Sequence, residues 1–242
     1  MGNTLNAILG AVLDPDLLQR YGPRMIDGLL VTLKLVSVSF FLGMVLAQLL
    51  ALGRLSKLRP LNVVCRAYIY FFRGSPLLAQ LFLLYYGIAS PAFRHFWQNI
   101  GLWGFFRDPW NCALLAFTLN TAAYQAEIFR GSLLAIPKGQ WEACQSLGLS
   151  RLTTLRKVIM PQAMLVAIGP LGNELILMIK ASAIASLVTV YDVMGVTRLA
   201  FSRSFNFEVY LWAAVLYLLI VEIIRRLLRR IEGYLSRHML HT

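Results

Sequence analysis

Long stretches without a charged residue are the feature that most limits what this chain can fold into. The ranges 35–53, 74–93 and 109–126 contain 19, 20 and 18 consecutive uncharged residues. A helix needs about 20 mostly apolar residues to cross a hydrocarbon layer about 30 Å thick. Each of the three ranges therefore predicts a membrane-spanning helix.

Two further apolar regions raise the predicted number of spans to about five. One covers 158–191 and the other begins near Phe207. As a single helix, 158–191 would be about 51 Å long, which exceeds one simple crossing. The sequence GPLG at 169–172 predicts a kink, and the Ala/Ser-rich stretch 181–188 predicts a short re-entrant or outer-face helix. The predicted fold class is an all-α integral membrane protein.

Composition excludes a water-soluble domain. Of the 242 residues, 58% are hydrophobic and 14% are charged, against roughly 25% charged in soluble domains. The mean hydropathy is +0.65. Cys65, Cys112 and Cys144 lie in apolar stretches and have no metal-ligand spacing, so we expect neither a disulfide framework nor a zinc site.

The net charge of +12 is explained by membrane topology, because cytoplasmic loops are rich in Lys and Arg. With five spans, fourteen Lys and Arg fall on one side, within 54–66, 130–157 and 225–237. The opposite side has six, namely Arg20, Arg24, Arg94, Arg107, Arg198 and Arg203. This places the N-terminus outside and the C-terminus in the cytoplasm. Membrane lipid is the expected contact, and no nucleic-acid partner is needed.

These boundaries predict three parts of the chain. Residues 1–24 form an extracytoplasmic N-terminal segment, which lacks the cationic start and long apolar core of a cleaved signal peptide. Residues 25–233 form a single transmembrane domain, and 234–242 form a cytoplasmic tail.

The chain has no recognisable catalytic equipment. It contains no Gly-Lys dipeptide, and therefore no phosphate-binding P-loop, and neither His-Glu-x-x-His nor Gly-x-Ser-x-Gly occurs. His95, His238 and His241 show no spacing that suggests a metal site. We expect a protein that makes and breaks no covalent bonds.

The predicted cytoplasmic connection 137–161 has the pattern of a helix, a break and a second helix. Gly148 suits the left-handed position that ends a helix, and Ser150 suits the N-cap of the next one. Pro161 is expected to bend the chain where it enters the membrane.

The first helix of this connection has an apolar face. Trp141, Cys144 and Leu147 recur at helical spacing. Such a face on a surface loop suits an element that docks into a groove of a partner protein. The alternative is an ordinary loop helix that lies on the bilayer surface, and spacing alone does not decide between the two.

The same connection resembles the EAA loop of bacterial ABC importer permeases. Glu142-Ala143-Cys144 corresponds to the Glu-Ala-Ala of that loop, with Cys144 in place of the second Ala. Gly148 and the ending VIMP at 158–161 complete the likeness.

Other motifs resemble the polar amino acid branch of these permeases. The sequence FRGSPLL at 72–78 is similar to the Arg-Gly-Thr/Ser-Pro-Leu-Leu signature of the branch. GNELI at 172–176, Lys180, Ser182 and YDVMG at 191–195 are most similar to the histidine, basic amino acid and opine permeases.

The resemblance implies a type I ABC importer permease, a multi-pass subunit of the bacterial inner membrane. Its implied partners are two ATPase subunits, a substrate-binding protein outside the membrane, and a second similar permease, with a heterodimer favoured over a homodimer. ATP and Mg would be bound by the ATPase, with no cofactor in this chain. The residues implied in coupling to the ATPase are Trp141, Glu142, Ala143, Gly148 and Pro161.

Charged side chains inside spans are costly and are therefore functional candidates. Glu174 and Lys180 are about 240° apart around a helix, so they cannot neutralise each other. We expect Glu174, aided by Asn173, to face the translocation pathway and meet a cationic substrate group. The alternative is a structural ion pair with a neighbouring span. The candidate pathway residues are Tyr124, Asn173, Glu174, Lys180 and Ser182.

Two other functions remain open at this stage. An ion-coupled secondary transporter or channel would use Glu174 and Lys180 as a relay, although five spans without a visible inverted repeat disfavour it. The second open function is that of a membrane scaffold without transport activity. The substrate is open among histidine, arginine, ornithine and opines.

Overall fold

The computed structural model describes residues 15–236, and all regular secondary structure in that range is helical. The α-helices are α1 (Pro15–Leu55), α2 (Arg59–Gly74), α3 (Leu77–Phe82), α4 (Arg94–Asn99), α5 (Trp103–Phe106), α6 (Pro109–Ala135), α7 (Lys138–Ser146), α8 (Arg151–Thr153), α9 (Met160–Ala181), α10 (Val193–Ser204) and α11 (Glu208–Ser236). π-helical turns cover Leu83–Ile88 and Thr154–Ile159, and 3₁₀ helices cover Pro91–Phe93 and Ser182–Val188.

Helix α1 is much longer than the span predicted from its uncharged run. It has 41 residues, or about 61 Å, twice the thickness of the hydrocarbon layer. Pro15 and Asp16 suit a helix start, because proline is tolerated in the first turn and an acidic residue favours the N-terminal end of the helix dipole. Residues 15–24, which were predicted to belong to an N-terminal segment, are thus part of this helix. Residues 1–14 of the predicted N-terminal segment lie outside the described residues.

The last helix, α11, reaches Ser236. The end of the transmembrane domain at residue 233 stays a prediction, because a helix can extend beyond the membrane. The rest of the predicted tail, 237–242, lies outside the described part of the chain.

The second predicted span is a bent pair of helices. Helices α2 and α3, with the π turn after α3, meet at an angle of 105°. Ser75 is extended (φ −109°, ψ 147°) because the following Pro76 disfavours helical backbone in the residue before it. Helix α2 begins at Arg59, inside a stretch expected to be a cytoplasmic loop. The uncharged run 74–93 therefore covers only the second arm of the bent pair, and the bend lies at Gly74 to Pro76.

Polar side chains support the break between α2 and α3. The Gln80 amide donates hydrogen bonds to the carbonyl oxygens of Phe72 and Ser75, both at 3.0 Å. Asn120 of α6 donates to the Phe72 carbonyl and to Gln80 Oε1, also at 3.0 Å. Backbone groups freed by a break at membrane depth need such partners. The bend is therefore a supported part of the fold.

Within residues 15–236, two helical stretches are long and apolar enough to cross a membrane. They are Pro15–Leu55 and Arg151–Val188, and the bent pair becomes a third if it counts as one span. Helices α6 and α11, with 27 and 29 residues, exceed the length needed for a crossing. The count of five spans and the orientation of the termini stay predictions.

Small residues allow α1 to pack closely against α6, its most extensive partner. Gly43, Ala47 and Ala51 are all buried on α1. A methyl group on Gly43 would lie 2.5 Å from Thr121 Cγ2 and 3.4 Å from the Thr118 carbonyl oxygen. Small residues that let two backbones approach are typical of helix packing in membranes.

We expect Gly43→Leu to lower the free energy of unfolding by about 3 kcal/mol, because the larger side chain forces α1 and α6 apart. Gly22→Leu on the same helix is the matched control, since a methyl group there would meet only Leu18, at 3.7 Å. Unfolding in detergent measures both variants. Equal stability of the two variants would contradict close packing at Gly43.

Candidate functional site

The connection 137–161 has the predicted arrangement of helix, break and helix. Gly148 has φ +68°, a left-handed conformation that glycine adopts without steric cost. Its N–H donates to the Gln145 carbonyl at 2.9 Å, and Leu149 N–H donates to the Cys144 carbonyl at 3.0 Å. Ser150 Oγ accepts a hydrogen bond from Thr153 N–H at 3.2 Å. Both the helix-ending glycine and the serine cap are confirmed.

The helix continues through Pro161, where the sequence predicts a bend. Residues 151–188 form one helical stretch, and Pro161 is the second residue of α9. The irregular part is the π turn Thr154–Ile159 just before it. A π turn uses i→i+5 hydrogen bonds, and its wider backbone accommodates a following residue that has no N–H to donate.

The apolar face predicted for α7 is divided between two environments. Trp141 is half-buried and packs against Leu133, Ile159 and their neighbours, and Cys144 is 4% exposed. Leu147 is 77% exposed. The three residues therefore do not form one exposed face, because periodicity defines a face but not what covers it.

The outward surface of the connection consists of other residues. Glu142, Ala143 and Gly148 are exposed, and so are Leu147 and Leu152. Sequence reasoning missed Leu152, and the only indication of it was its position two residues after the Ser150 cap. The surface combines one carboxylate, small residues and exposed leucines.

Trp141 joins this connection to the ends of two spans. A cavity of about 450 Å³ separates α7 from the C-terminal ends of α1 and α6. It is lined by Leu52, Leu55, Leu133, Leu134, Ile136, Lys138, Trp141 and Leu155. Because the Trp141 indole also packs against the cluster that contains Leu133 of α6, a displacement of α7 would reach α6 through this ring.

Glu174 is buried against α6. Its side chain is 8% exposed, and its Oε1 accepts a hydrogen bond from the Thr121 hydroxyl at 3.1 Å. No residue in the range 15–236 forms an ion pair with it.

The other candidate pathway residues do not all join Glu174. Asn173 and Lys180 are exposed, on a different side of α9 from Glu174. Ser182 is buried, and its hydroxyl donates to the Ile179 carbonyl at 2.7 Å. Tyr124 lies near the bend between α2 and α3, where the Arg73 guanidinium is 5.1 Å from its ring centre.

A charged groove of about 410 Å³ lies beside Tyr124. It is lined by Arg54, Arg66, Ile69, Tyr70, Arg73, Gly74, Tyr124 and Glu127. Glu127 pairs with Arg130 at 2.7 Å and with Arg54 at 3.5 Å, which joins α6 to α1. Arg54 also accepts a short hydrogen bond at its carbonyl from the Asn62 amide.

The groove offers cationic groups to a small molecule, while its one carboxylate, Glu127, is paired with Arg54 and Arg130. Arg73 is exposed and unpaired by any acidic side chain in the described range. The sequence indicates that Arg73, together with Gly74 and Pro76, ends or bends the second span, but it gives no reason for an arginine there. In the part of the chain that the structure describes, no three His, Cys, Asp or Glu residues are grouped to hold a metal ion.

Comparison with known proteins agrees with this architecture. The nopaline transport system permease protein NocM of Agrobacterium fabrum is 38% identical over 228 residues, 94% of each chain. The L-cystine transport system permease protein TcyB of Bacillus subtilis is 38% identical over 241 residues, 98% of each chain.

A solved structure has the same fold. The crystal structure of an amino acid ABC transporter with histidines matches with a TM-score of 0.78 and 32% identity. The match covers 90% of this chain and 96% of that one. The sequence pattern of the family described as "Binding-protein-dependent transport system inner membrane component" matches residues 39–240. With the helical fold, the bent second span and the loop 137–161 all in place, the chain belongs to this family of ABC importer permeases.

Proposed function

We propose that this chain forms, with a second similar permease, the translocation pathway of an ATP-driven importer for a polar or basic amino acid or an opine. The observation that carries the proposal is the exposed loop 137–161, which is bent at Gly148 and joined to the spans through Trp141. A chain with such a loop and no nucleotide-binding motif needs a partner that supplies energy. The chain itself catalyses no reaction.

Movement of the ATPase would reach the spans through α7, which has an exposed surface for the ATPase and a packed contact with the spans. Glu142, Ala143 and Leu147 are exposed and form the surface offered to the ATPase. Trp141, on the opposite side of α7, packs on the ends of α6 and α9. Because packed elements move as units, closing of the ATPase dimer would rotate the spans and give alternating access.

The groove beside Tyr124 supports a zwitterionic substrate. Arg73 is free to bind a carboxylate, and an Arg–carboxylate pair is strong and directional. Glu174 does not line the groove and is buried on α9. It would offer the opposite charge to an amino or guanidinium group that extends beyond the groove. NocM is named for nopaline and TcyB for L-cystine, both of which carry amino acid groups. Tyr124, Asn173, Lys180 and Ser182 remain proposed pathway residues, with Ser182 held within its own helix.

The proposed assembly has two ATPase subunits, which bind ATP and Mg, and a substrate-binding protein outside the membrane. The two permeases would form a heterodimer. The chain would cross the bacterial inner membrane five times, with its N-terminus outside and its C-terminus in the cytoplasm.

Uptake by the reconstituted importer tests the substrate class. The complex in proteoliposomes should import labelled arginine, histidine, octopine or nopaline when ATP is present on the ATPase side. Leucine is the control substrate, because its side chain is neither polar nor basic and offers no charge to the Glu174 carboxylate. Preferred uptake of leucine would overturn the assignment.

A further inference from the structure

Asp192 is a fully buried carboxylate in the connection between α9 and α11. Its side chain is 0% exposed and caps α10, because Oδ1 accepts a hydrogen bond from Gly195 N–H at 2.8 Å. Oδ2 accepts a second one from the Tyr217 hydroxyl of α11 at 3.3 Å. The charge is thus stabilised by a helix N-terminus and a phenol, and it links α10 to α11.

The same turn is held against α1. Val193 N–H donates to the Thr32 hydroxyl at 3.3 Å. A methyl group on Gly28 would lie only 2.9 Å from the Asp192 carbonyl oxygen, so the two backbones are in direct contact. Met25 packs against Val193 in a small apolar cluster. Three elements, α1, α10 and α11, therefore meet at Asp192.

One residue before α10 and one residue after it have backbone conformations that need support from the surrounding structure. Thr189 has φ 62° and Phe205 has φ 53°. These are the non-glycine residues with left-handed backbone in the range 15–236, and each costs about 1–2 kcal/mol. Such strain persists when the surrounding structure determines the conformation. Fixation of the segment at Asp192 supplies that support.

We propose that Asp192 is a positioning residue that fixes the segment 182–204 to α1 and α11, so that all three move as one rigid body during transport. The alternative is that this segment is a lid, which opens independently of α1 and α11 by rotation at Thr189 and Phe205. The inference rests on the proposed transport cycle. It assigns a role to a buried carboxylate that contacts neither the charged groove nor the loop 137–161.

Distances between spin labels test the proposal in the assembled importer in nanodiscs. Labels are attached at Asp27→Cys on α1 and Arg203→Cys on α10, two exposed positions, after replacement of Cys65, Cys112 and Cys144. The expected distance distribution is the same without nucleotide and with ATP. A shift of the distance between these states would overturn the proposal.

Substitution of the carboxylate gives the second part of the test. Asp192→Ala should broaden the distribution and lower uptake, whereas Asp192→Asn, which keeps an acceptor for Gly195 N–H, should restore part of both. Tyr217→Phe and Thr32→Val each remove one hydroxyl and should broaden the distribution less, so they serve if Asp192→Ala does not fold. Tyr210→Phe on α11 is the control and should change nothing.

The outcomes separate this proposal from the proposed function. Absence of ATP-dependent uptake by the unmodified complex would contradict the proposed function, while the distances would still report whether the segment moves with α1. An unchanged distribution in Asp192→Ala would contradict the positioning role even if the unmodified complex imports substrate normally.

Discussion

Replacement of Gly148 by proline is expected to reduce uptake to background while the chain still inserts into the membrane. Proline fixes φ near −65° and cannot adopt the φ of +68° found at this position. It also removes the N–H that donates to the Gln145 carbonyl. The bend between α7 and α8 would be lost, and movement of the ATPase would no longer reach α9. Uptake and ATP hydrolysis of the same reconstituted complex measure the effect.

Two substitutions control for nonspecific damage to the loop. Gly148→Asn should keep most of the uptake, because asparagine tolerates left-handed backbone. Gly139→Ala lies on the same loop, where an added methyl group meets nothing within 4 Å, and should keep full uptake. Full uptake with Gly148→Pro would contradict the role of the bend.

Glu174→Gln is expected to lower uptake of a cationic substrate about thirtyfold. Loss of one partner of a desolvated charge pair costs about 2 kcal/mol or more, and about 1.4 kcal/mol is a factor of ten. The glutamine keeps the size of the side chain and an oxygen that accepts from Thr121. Initial uptake rates of labelled arginine, together with the amount of folded complex, measure the change.

Thr121→Val separates the pathway role from a structural one. It removes the hydroxyl that donates to Glu174 but keeps the charge and nearly the same shape. If Glu174 meets substrate, this variant keeps most of the uptake. If Glu174 serves only the packing of α6 against α9, Thr121→Val should lose stability because it removes the hydroxyl donor. Glu174→Gln, which still accepts from Thr121, should then keep its stability, and neither variant should change substrate preference.

Features set by adjacent residues could be predicted from the sequence. The left-handed Gly148 and the Ser150 cap depend on backbone sterics and one local hydrogen bond. The small residues Gly43, Ala47 and Ala51 recur every four residues along α1, a spacing that favours a packing surface because close helix approach requires small side chains.

Features that depend on contacts between residues far apart in the chain could not be predicted from the sequence. Glu174 is bonded to Thr121, 53 positions away, and no periodicity reveals that partner. Arg73 reaches Tyr124, 51 positions away, because α2 packs directly against α6. Cys144 is buried by the chain's own residues, although its spacing equally suited an exposed face. Hydropathy located the apolar part of α1 but not its polar extension to Pro15.

The most direct test of the account is the energy source of uptake. Proteoliposomes containing the permeases, the ATPase and the binding protein are loaded with ATP or given only a sodium or proton gradient, and labelled substrate is measured inside. We predict uptake with ATP, loss of uptake when the ATPase is inactivated by substitution, and none with the gradient alone. Uptake driven by a gradient without ATP hydrolysis would contradict the account and indicate an ion-coupled transporter.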